Sequence, residues 1–579
     1  MSTLDRGAVT HIAASWPRLR ALWPCWLFLL TLAGYGYTLT PSIAWADGAR
    51  LQMDVMLRGS TYWFFDEARQ LPTDGWPFDR LGVAAWDHPL YVMLGQLMRL
   101  LPWGEPAWRI TLLSALAGSL AVTLLALVAL RLTGDLRAAT LGALALAVAH
   151  TFWFHAVTPE VYTLHAVFML SLIGLALRWS RRRDGRDLLL FALLAGLGCA
   201  NHIMLALTLL PTLILIGVEL RWPASARRER GPTGWPLAAS MIGLFALGFA
   251  PWWIQFGRMA RVGGVWLTLG LATGFPWLPQ RMPHQLSWSI LSNLGAYCGL
   301  LLYQFTPLGL ALGVCGARRL WRTQTRAGRL LAALFAIHAL FSANYRVADR
   351  FAFHLPSYVI FALWIAAGWA GLLQALQARG DLRARARAAA LALTLLPIPL
   401  YAATPRVVHG LGYTDADLGI APIGVGARDA LAYFFDPNQR GDDSAARFGR
   451  STLAQLGPHA LVFTAWPGDQ EAYVVLRYVQ AVERRRPDVQ LDLLLFAADQ
   501  PTPERVLAAA RAQQRCRPLY LASLSRELYP LDELRREFTI TPEANLYRLL
   551  PRQAAPSAIC PPAQPRQLTL DQLIRSALR

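Results

Sequence analysis

Several short segments of this chain place ionisable side chains beside long apolar runs. Asp47 lies in WADGARL (45–51), with Asp54 seven residues further on and on the same face if the stretch is helical. His88 lies in WDHPLY (86–91), and Glu160 and Tyr162 in AVTPEVYTL (156–164). Asn201 and His202 occupy GCANHIM (198–204), while Asn344, Arg346 and Asp349 fall in NYRVADRFAFHLP (344–356). A carboxylate just past an apolar run can act as general base toward a hydroxyl. Histidine and arginine can hold a phosphate, arginine in bidentate fashion. A bilayer penalises buried charge, so ionisable groups gathered at one membrane face suggest chemistry there.

Each segment also has a plainer role. Asp47-Gly48 reads as a turn and Asp54 as a solvated carboxylate. His88 precedes Pro89 as a helix cap. Thr158, Pro159 and Glu160 read as N-cap, N1 and N2 of a helix. Glu160 can serve both roles, because a helix start facing a cavity tolerates an anion. Asn201 suits a helix C-cap. Arg346 reads as an interface anchor or a partner for Asp349. Asp469 and Gln470, in PGDQEAY (467–473), are expected at a helix start, where capping explains them.

The elements that must position these residues follow from composition. The 579 residues are 55% hydrophobic and 16% charged, against roughly a quarter charged in soluble domains. Twenty-two tryptophans and 17 tyrosines suit membrane–water interfaces. The net charge of +19 comes from arginine alone and gathers between apolar runs. That is the positive-inside pattern rather than a nucleic-acid groove. About eleven spans are expected, at 24–40, 108–130, 139–155, 161–178, 188–201, 203–220, 235–256, 290–316, 330–343, 354–377 and 388–403. Arginines at 131–137, 178–186, 221–230, 318–329 and 379–387 mark every second loop as cytoplasmic. The N-terminus then lies inside. The loops holding Asp47, His88, Glu160, His202 and Asp349 lie outside, with the C-terminal tail. Residues 89–101 are expected as a helix on the outer interface.

After residue 403 the composition becomes more polar. Strands are expected at 460–464, 489–496, 518–522 and 545–550, with helices at 470–484 and 503–513. The expected fold class is therefore a polytopic α-helical membrane protein (1–403) with a long first outer loop (41–107) and a C-terminal soluble α/β domain (404–579). No metal-type cysteine spacing occurs. Cys25, Cys199, Cys298 and Cys315 read as packing residues, and Cys516 and Cys560 can pair if the tail lies outside. The chain has no P-loop, Gly-rich nucleotide fingerprint or Ser-His-Asp order.

The order of motifs resembles a family. Asp47-Gly48, His88-Pro89-Leu90-Tyr91, Pro159-Glu160-Val161-Tyr162, Asn201-His202, Asn344-Tyr345-Arg346-Val347-Ala348-Asp349 and Arg486-Pro487-Asp488-Val489 occur in one sequence order. Together they look like the protein O-mannosyltransferase-like family of multispanning proteins, within glycosyltransferase superfamily C (GT-C). Two departures stand out. Gly48-Ala49-Arg50 replaces the family's Ser-Gly-Glu, so a second carboxylate is missing, and the spacer before His88 carries Asp66, Glu67, Asp74 and Asp79.

The resemblance implies a GT-C-like fold and a sugar donor linked to polyprenyl phosphate, with mannose favoured. It implies Asp47 as base in an inverting transfer, with His88, His202 and Arg346 on the donor phosphate. Asp54, Glu160, Tyr162, Asn201, Asn344 and Asp349 would face sugar or acceptor. No cofactor is required, and a divalent metal is permitted but not indicated. The implied partners are a polyprenyl-phosphate-linked sugar, a protein, lipid or glycan acceptor, and the lipid bilayer of a bacterial inner membrane. Two rivals are a transporter of lipid-linked saccharides, which predicts charges at the midplane, and a non-catalytic envelope assembly protein.

Overall fold

The computed structural model describes residues 4–58, 88–221, 234–263, 265–266, 269, 288–347, 349–377, 383–420, 422–466, 468–495 and 502–552. The acidic spacer at 66–79, most of the arginine loop 221–230, Arg379 and Cys560 lie outside these residues. In chain order the first part runs α1 (Leu4–Thr38), α2 (Ala46–Arg58), α3 (Pro89–Met98), α4 (Pro106–Thr133), α5 (Leu136–Ala147), α6 (His150–Val157), α7 (Tyr162–Arg182) and α8 (Gly185–Asn201). It continues with α9 (Ala206–Arg221), α10 (Gly234–Gly248), α11 (Ala250–Gly263), α12 (Trp288–Thr323), α13 (Thr325–Asn344), α14 (Arg350–Phe353), α15 (Leu355–Gln377), α16 (Arg383–Leu395) and α17 (Pro397–Gly410).

Among the described residues seven helices are long and apolar enough to cross a bilayer. They become nine if α5–α6 and α10–α11, bent by 66° and 60°, each count as one span. The expected spans 139–155 and 235–256 are therefore broken rather than straight. Their breaks have partners: the His150 backbone N–H donates to the Tyr401 hydroxyl at 3.0 Å, just after the first bend. The apolar stretches 24–40 and 188–201 are helical, packing along α4 and along α7 and α10 respectively. Helix α17 carries the chain straight through residue 403, the expected border.

Helix α15 is the centre of the bundle, buried without a gap from His354 to Ala370. A helix apolar all round belongs in such a core. It meets α12 through Gly316 and Gly368: a Cβ at Gly316 would sit 1.8 Å from the Trp364 carbonyl oxygen. Small residues allow this backbone approach where lipid supplies no hydrophobic drive.

Helix α3 is not an interfacial helix. Pro89, Leu90, Tyr91, Val92, Gly95 and Gln96 are buried between α2, α4 and α8, because its apolar residues meet protein on more than one side. The end of the bundle opposite Asp47 is rich in arginine. There Arg183, in the left-handed region (φ 55°) at the close of α7, stacks on Trp179 with its guanidinium carbon 4.7 Å from the ring centroid. Its guanidinium also pairs with Glu219, which Arg326 meets at 2.8 Å; Arg183 and Glu219 are both 2% exposed.

The C-terminal part contains α18 (Ala430–Phe435), α19 (Ser444–Gln455), β1 (Leu461–Trp466), α20 (Gln470–Ala481), β2 (Gln490–Leu495), α21 (Thr502–Gln513), β3 (Leu519–Leu521), α22 (Leu531–Glu537), β4 (Phe538–Glu543) and β5 (Leu546–Pro551). The sheet order is β2-β1-β3-β5-β4, with β1 parallel to β2 and β3, and β5 antiparallel to β3 and β4. The expected strands at 460–464, 489–496, 518–522 and 545–550 all fall on strands. Strand β4, with its partly exposed pattern, was not anticipated. Cys516 is disulfide-bonded.

This part grips the bundle. Trp45 Nε1 donates to Ser444 Oγ at 2.8 Å, Gln439 N donates to the Thr38 carbonyl at 3.1 Å, and Tyr303 donates to the Phe435 carbonyl at 2.9 Å. Arg450 joins Glu105 at the foot of α4 to Glu483 after α20, at 3.1 and 2.8 Å.

Removing Glu219 would leave Arg183 buried without its carboxylate. Glu219→Ala is expected to destabilise the protein by roughly 3 kcal/mol. Thermal unfolding of the detergent-solubilised chain checks this, and an unchanged melting temperature would show the pair to be dispensable.

Candidate active site

Helix α2 holds Asp47 in its first turn, where a carboxylate suits the helix dipole. Its entry is locked by Gln52, which is fully buried. The Gln52 Oε1 accepts from Ala44 N at 2.9 Å, and its Nε2 donates to the Ala107 carbonyl and Thr111 Oγ1, both at 3.1 Å. Gly48 is a contact rather than a turn residue. A Cβ there would lie 3.0 Å from Pro159 Cγ, so α2 rests directly on the 158–160 segment. Asp47 itself remains accessible, its side chain 58% exposed.

Arg50, one turn later, places Nε 3.6 Å from Asp47 Oδ1. Asp54 is buried at 1% exposure, which corrects the solvated reading.

Glu160 is set by its backbone. Its N–H donates to Ser114 Oγ and its carbonyl accepts from the same hydroxyl, both at 3.0 Å. Tyr91 and Ser114 share a hydroxyl contact at 2.9 Å. These bonds hold Glu160 outside any helix. Thr158 closes α6, and α7 begins at Tyr162 with Val161 as its N-cap. Thr158, Pro159 and Glu160 are therefore not the expected first turn of a helix. The Glu160 carboxyl is raised well above its usual value of 4.5, first by burial and then by Asp47 and Asp349, while Arg50 opposes the shift. Glu160 thus lies within electrostatic reach of carboxylates from α2 and the 345–349 loop, with Arg50 as the counter-charge, and this region is the candidate recess.

His88 and His202 form the adjoining wall. His88 caps α3 in the left-handed region, φ 57°. Its Nδ1 lies 2.8 Å from the Asn201 carbonyl oxygen, which only accepts, so Nδ1 carries the proton. His202 Nδ1 accepts from Met204 N at 3.1 Å, so in the neutral ring Nε2 is the donor. The two rings stack with centroids 5.0 Å apart. Tyr162 lies 5.7 Å from His202, and His155 lies 4.8 Å from Tyr162.

The other expected residues divide. Asn201 is fully buried, and its amide donates to the Val161 carbonyl at 3.2 Å. It therefore ties α8 to the start of α7 rather than lining the opening. Asn344, at the end of α13, donates its amide to Leu340 O of its own helix at 2.7 Å. Arg346 is exposed on the loop. Tyr345, next to it, packs on Phe353 at 4.9 Å, and Phe353 packs on Tyr162 at 5.8 Å, so this loop flanks the recess. Asp349 precedes α14 and bears on Glu160.

Sequence reasoning missed Arg50 as a member of the cluster, and it missed the tail's contribution. Tyr433 packs on Phe154 at 5.3 Å and senses the charge of Glu160. Glu471, in the first turn of α20, senses Asp47; burial raises its carboxyl. The aromatic run Tyr433-Phe434-Phe435 inside a polar tail was the available signal. Among the described residues no three His, Cys, Asp or Glu side chains are arranged to hold a metal ion.

A many-helix membrane bundle with a small terminal sheet defines a class: the chain is a polytopic helical membrane protein with a GT-C-like fold. Residues 87–225 match the family model of the protein O-mannosyl-transferase TMEM260 N-terminal domain, so that stretch is similar to the family the motifs resemble. The fold is similar to that of ArnT from Cupriavidus metallidurans bound to undecaprenyl phosphate, at 15% identity and a TM-score of 0.52, covering 93% of this chain and 98% of that one. The archaeal oligosaccharyltransferase AglB from Archaeoglobus fulgidus, in complex with an inhibitory peptide and a dolichol-phosphate, gives 12% identity and a TM-score of 0.47 over 82% of this chain and 65% of its own. The arabinofuranosyltransferase AftD from Mycobacteria gives 16% and 0.40 over 90% of this chain and 37% of its own. No curated protein matches the chain.

A carboxyl with a raised pKa binds its proton more tightly in the folded state. Its contribution is complete below the ordinary value of 4.5 and is lost as pH rises toward the folded value. Glu160→Gln is therefore expected to melt at a higher temperature than the parent at pH 7, with the difference vanishing below about pH 4.5. Melting curves across this range check it, and a pH-independent difference would contradict the electrostatic account.

Proposed function

We propose that the protein transfers a sugar, mannose favoured, from a polyprenyl-phosphate donor to an acceptor hydroxyl, with inversion and with Asp47 as base. The observation that carries this is the close packing of the Asp47 helix on the segment before Glu160, within electrostatic reach of Asp349, together with the stacked His88 and His202. The TMEM260 match at 87–225 supports the mannosyl assignment. The undecaprenyl phosphate in the ArnT structure supports the lipid-phosphate donor class.

Asp47 takes the proton from the acceptor hydroxyl as its oxygen attacks the anomeric carbon. The bond between that carbon and the phosphate oxygen breaks on the opposite side, and the electron pair leaves with the lipid phosphate. Negative charge then grows on the phosphate. His202 offers an Nε2–H donor and Arg346 a guanidinium, and His88, whose Nδ1–H is held by the Asn201 carbonyl, joins them through Nε2 as the imidazolium. Preorganised donors act most strongly on charge that develops in the transition state. Glu160, Tyr162 and Asp349 orient sugar hydroxyls. A raised carboxyl such as Glu160 donates a hydrogen bond when protonated and accepts one when ionised.

In this reading the arginine-rich end faces the cytoplasm of a bacterial inner membrane and the recess faces the periplasm. Residues 1–403 form the membrane catalytic domain and 404–579 a periplasmic one. The lipid tail of the donor stays in the bilayer while its head group reaches the recess.

Asp47→Asn keeps shape and removes the base. Transfer from a polyprenyl-phosphate sugar is expected to fall about 100- to 10,000-fold, with melting unchanged. Transfer at the parental rate by the folded variant would remove Asp47 from the mechanism.

A further inference from the structure

The C-terminal sheet carries a cleft that the donor chemistry leaves unused. Strand β1 lies between β2 and β3 and runs parallel to both. The chain passes from β1 through α20 to β2 on one side, then through α21 to β3 on the other. Connections thus diverge at the carboxyl ends of β1 and β3, and such a switch point opens a crevice where ligands bind in α/β sheets. Here a cleft of about 390 Å³ lies at that point. Pockets for small organic ligands start at roughly this size.

The lining has a definite chemistry. Glu471 follows β1, and Ser523, Ser525 and Glu527 follow β3, with Asn545 and Tyr547 from the neighbouring hairpin. No lysine, arginine or histidine is among the described lining residues, so an anionic group would meet carboxylates without a counter-charge. Carboxylates, hydroxyls and an aromatic ring suit a neutral ligand rich in hydroxyls, since ionised carboxylates are acceptors only. The floor is rigid: Asp469 is 2% exposed and its carboxylate accepts from the Tyr529 hydroxyl and, at 3.2 Å, from Ala465 N.

The cleft is also tied to the recess. The first turn of α20 leans on α2: Ala472 and Tyr473 share one apolar cluster with Ala49 and Met53. Glu471 Oε2 accepts from Gly424 N at 2.6 Å, and Gly424, at φ +62°, fits against Trp45 where a Cβ would lie 2.4 Å from the indole. One carboxylate, Glu471, thus borders the cleft on one side and feels Asp47 on the other.

Resting on the transferase reading, we propose that this cleft is the acceptor subsite, binding the non-reacting part of a neutral saccharide whose free hydroxyl extends to Asp47. Its described lining holds no basic residue, which separates it from the phosphate wall at His88 and His202.

The test uses the full chain in detergent and saturation-transfer NMR with neutral disaccharides, a uronic-acid disaccharide and a Ser/Thr-containing hexapeptide as probes. Neutral disaccharides are expected to bind, the uronic-acid form to bind at least tenfold more weakly, and the hexapeptide not to bind. Ser525→Trp, which fills the cleft, is expected to weaken the neutral probe at least tenfold. Glu527→Gln, a milder change, is expected to weaken it severalfold with melting unchanged. Asp47→Asn is expected to bind the probe as the parent does, so loss of the base and loss of the cleft read out separately. Binding that survives Ser525→Trp in a folded protein would overturn the proposal, as would preference for the hexapeptide or for the charged disaccharide.

Discussion

Carboxylates gathered at the end of an apolar bundle repel one another, and the rest of this structure is organised around tolerating that repulsion. Asp47, Glu160 and Asp349 come from separate segments, and each is fixed by backbone bonds that owe nothing to its charge. Gln52 fixes the entry to α2, Ser114 fixes the backbone of Glu160, and α14 fixes Asp349. Arg50 supplies positive charge within the group. A cluster held this way is preorganised, and its cost falls on folding rather than on the reaction.

The C-terminal part completes the same arrangement. Without it, Trp45 would lose the Ser444 hydroxyl and its packing on Phe448. Helix α2 would lose the apolar face it shares with α20. Asp47 thus stands on a helix clamped between membrane bundle and sheet, and residues that are far apart in sequence meet there. Trp45 and Ser444 are 399 positions apart.

Much of this architecture was legible in the sequence because it rests on periodic, local signals. Apolar runs marked the helices, arginine marked one end of the bundle, and alternating patterns marked β1, β2, β3 and β5. Asp47, His88, Glu160, His202 and Asp349 were singled out by motif order, and the fold brings them to one end. The errors have physical causes. The helix start expected at Thr158 fails because the Ser114 hydroxyl, on another helix, captures the backbone of Glu160. Asp54 looked solvated because helical periodicity says nothing about what packs above a helix. The amides of Asn201 and Asn344 each donate to a backbone carbonyl, contacts that no local pattern shows. Arg50 was read as a missing carboxylate, and only its distance from Asp47 shows it as a partner. Tyr433 and Glu471 approach the recess through tertiary contacts that no local pattern encodes.

The central claim is that sugar transfer takes place in the recess shared by Asp47, Glu160, His88 and His202. Its most direct test is a structure of the protein with a non-hydrolysable polyprenyl-phosphate sugar bound. The account predicts the phosphate against His88 and His202, and the anomeric carbon placed so that an acceptor oxygen on Asp47 lies about 3–3.5 Å away. A head group seated at the arginine-rich end, around Arg183 and Arg326, would contradict it.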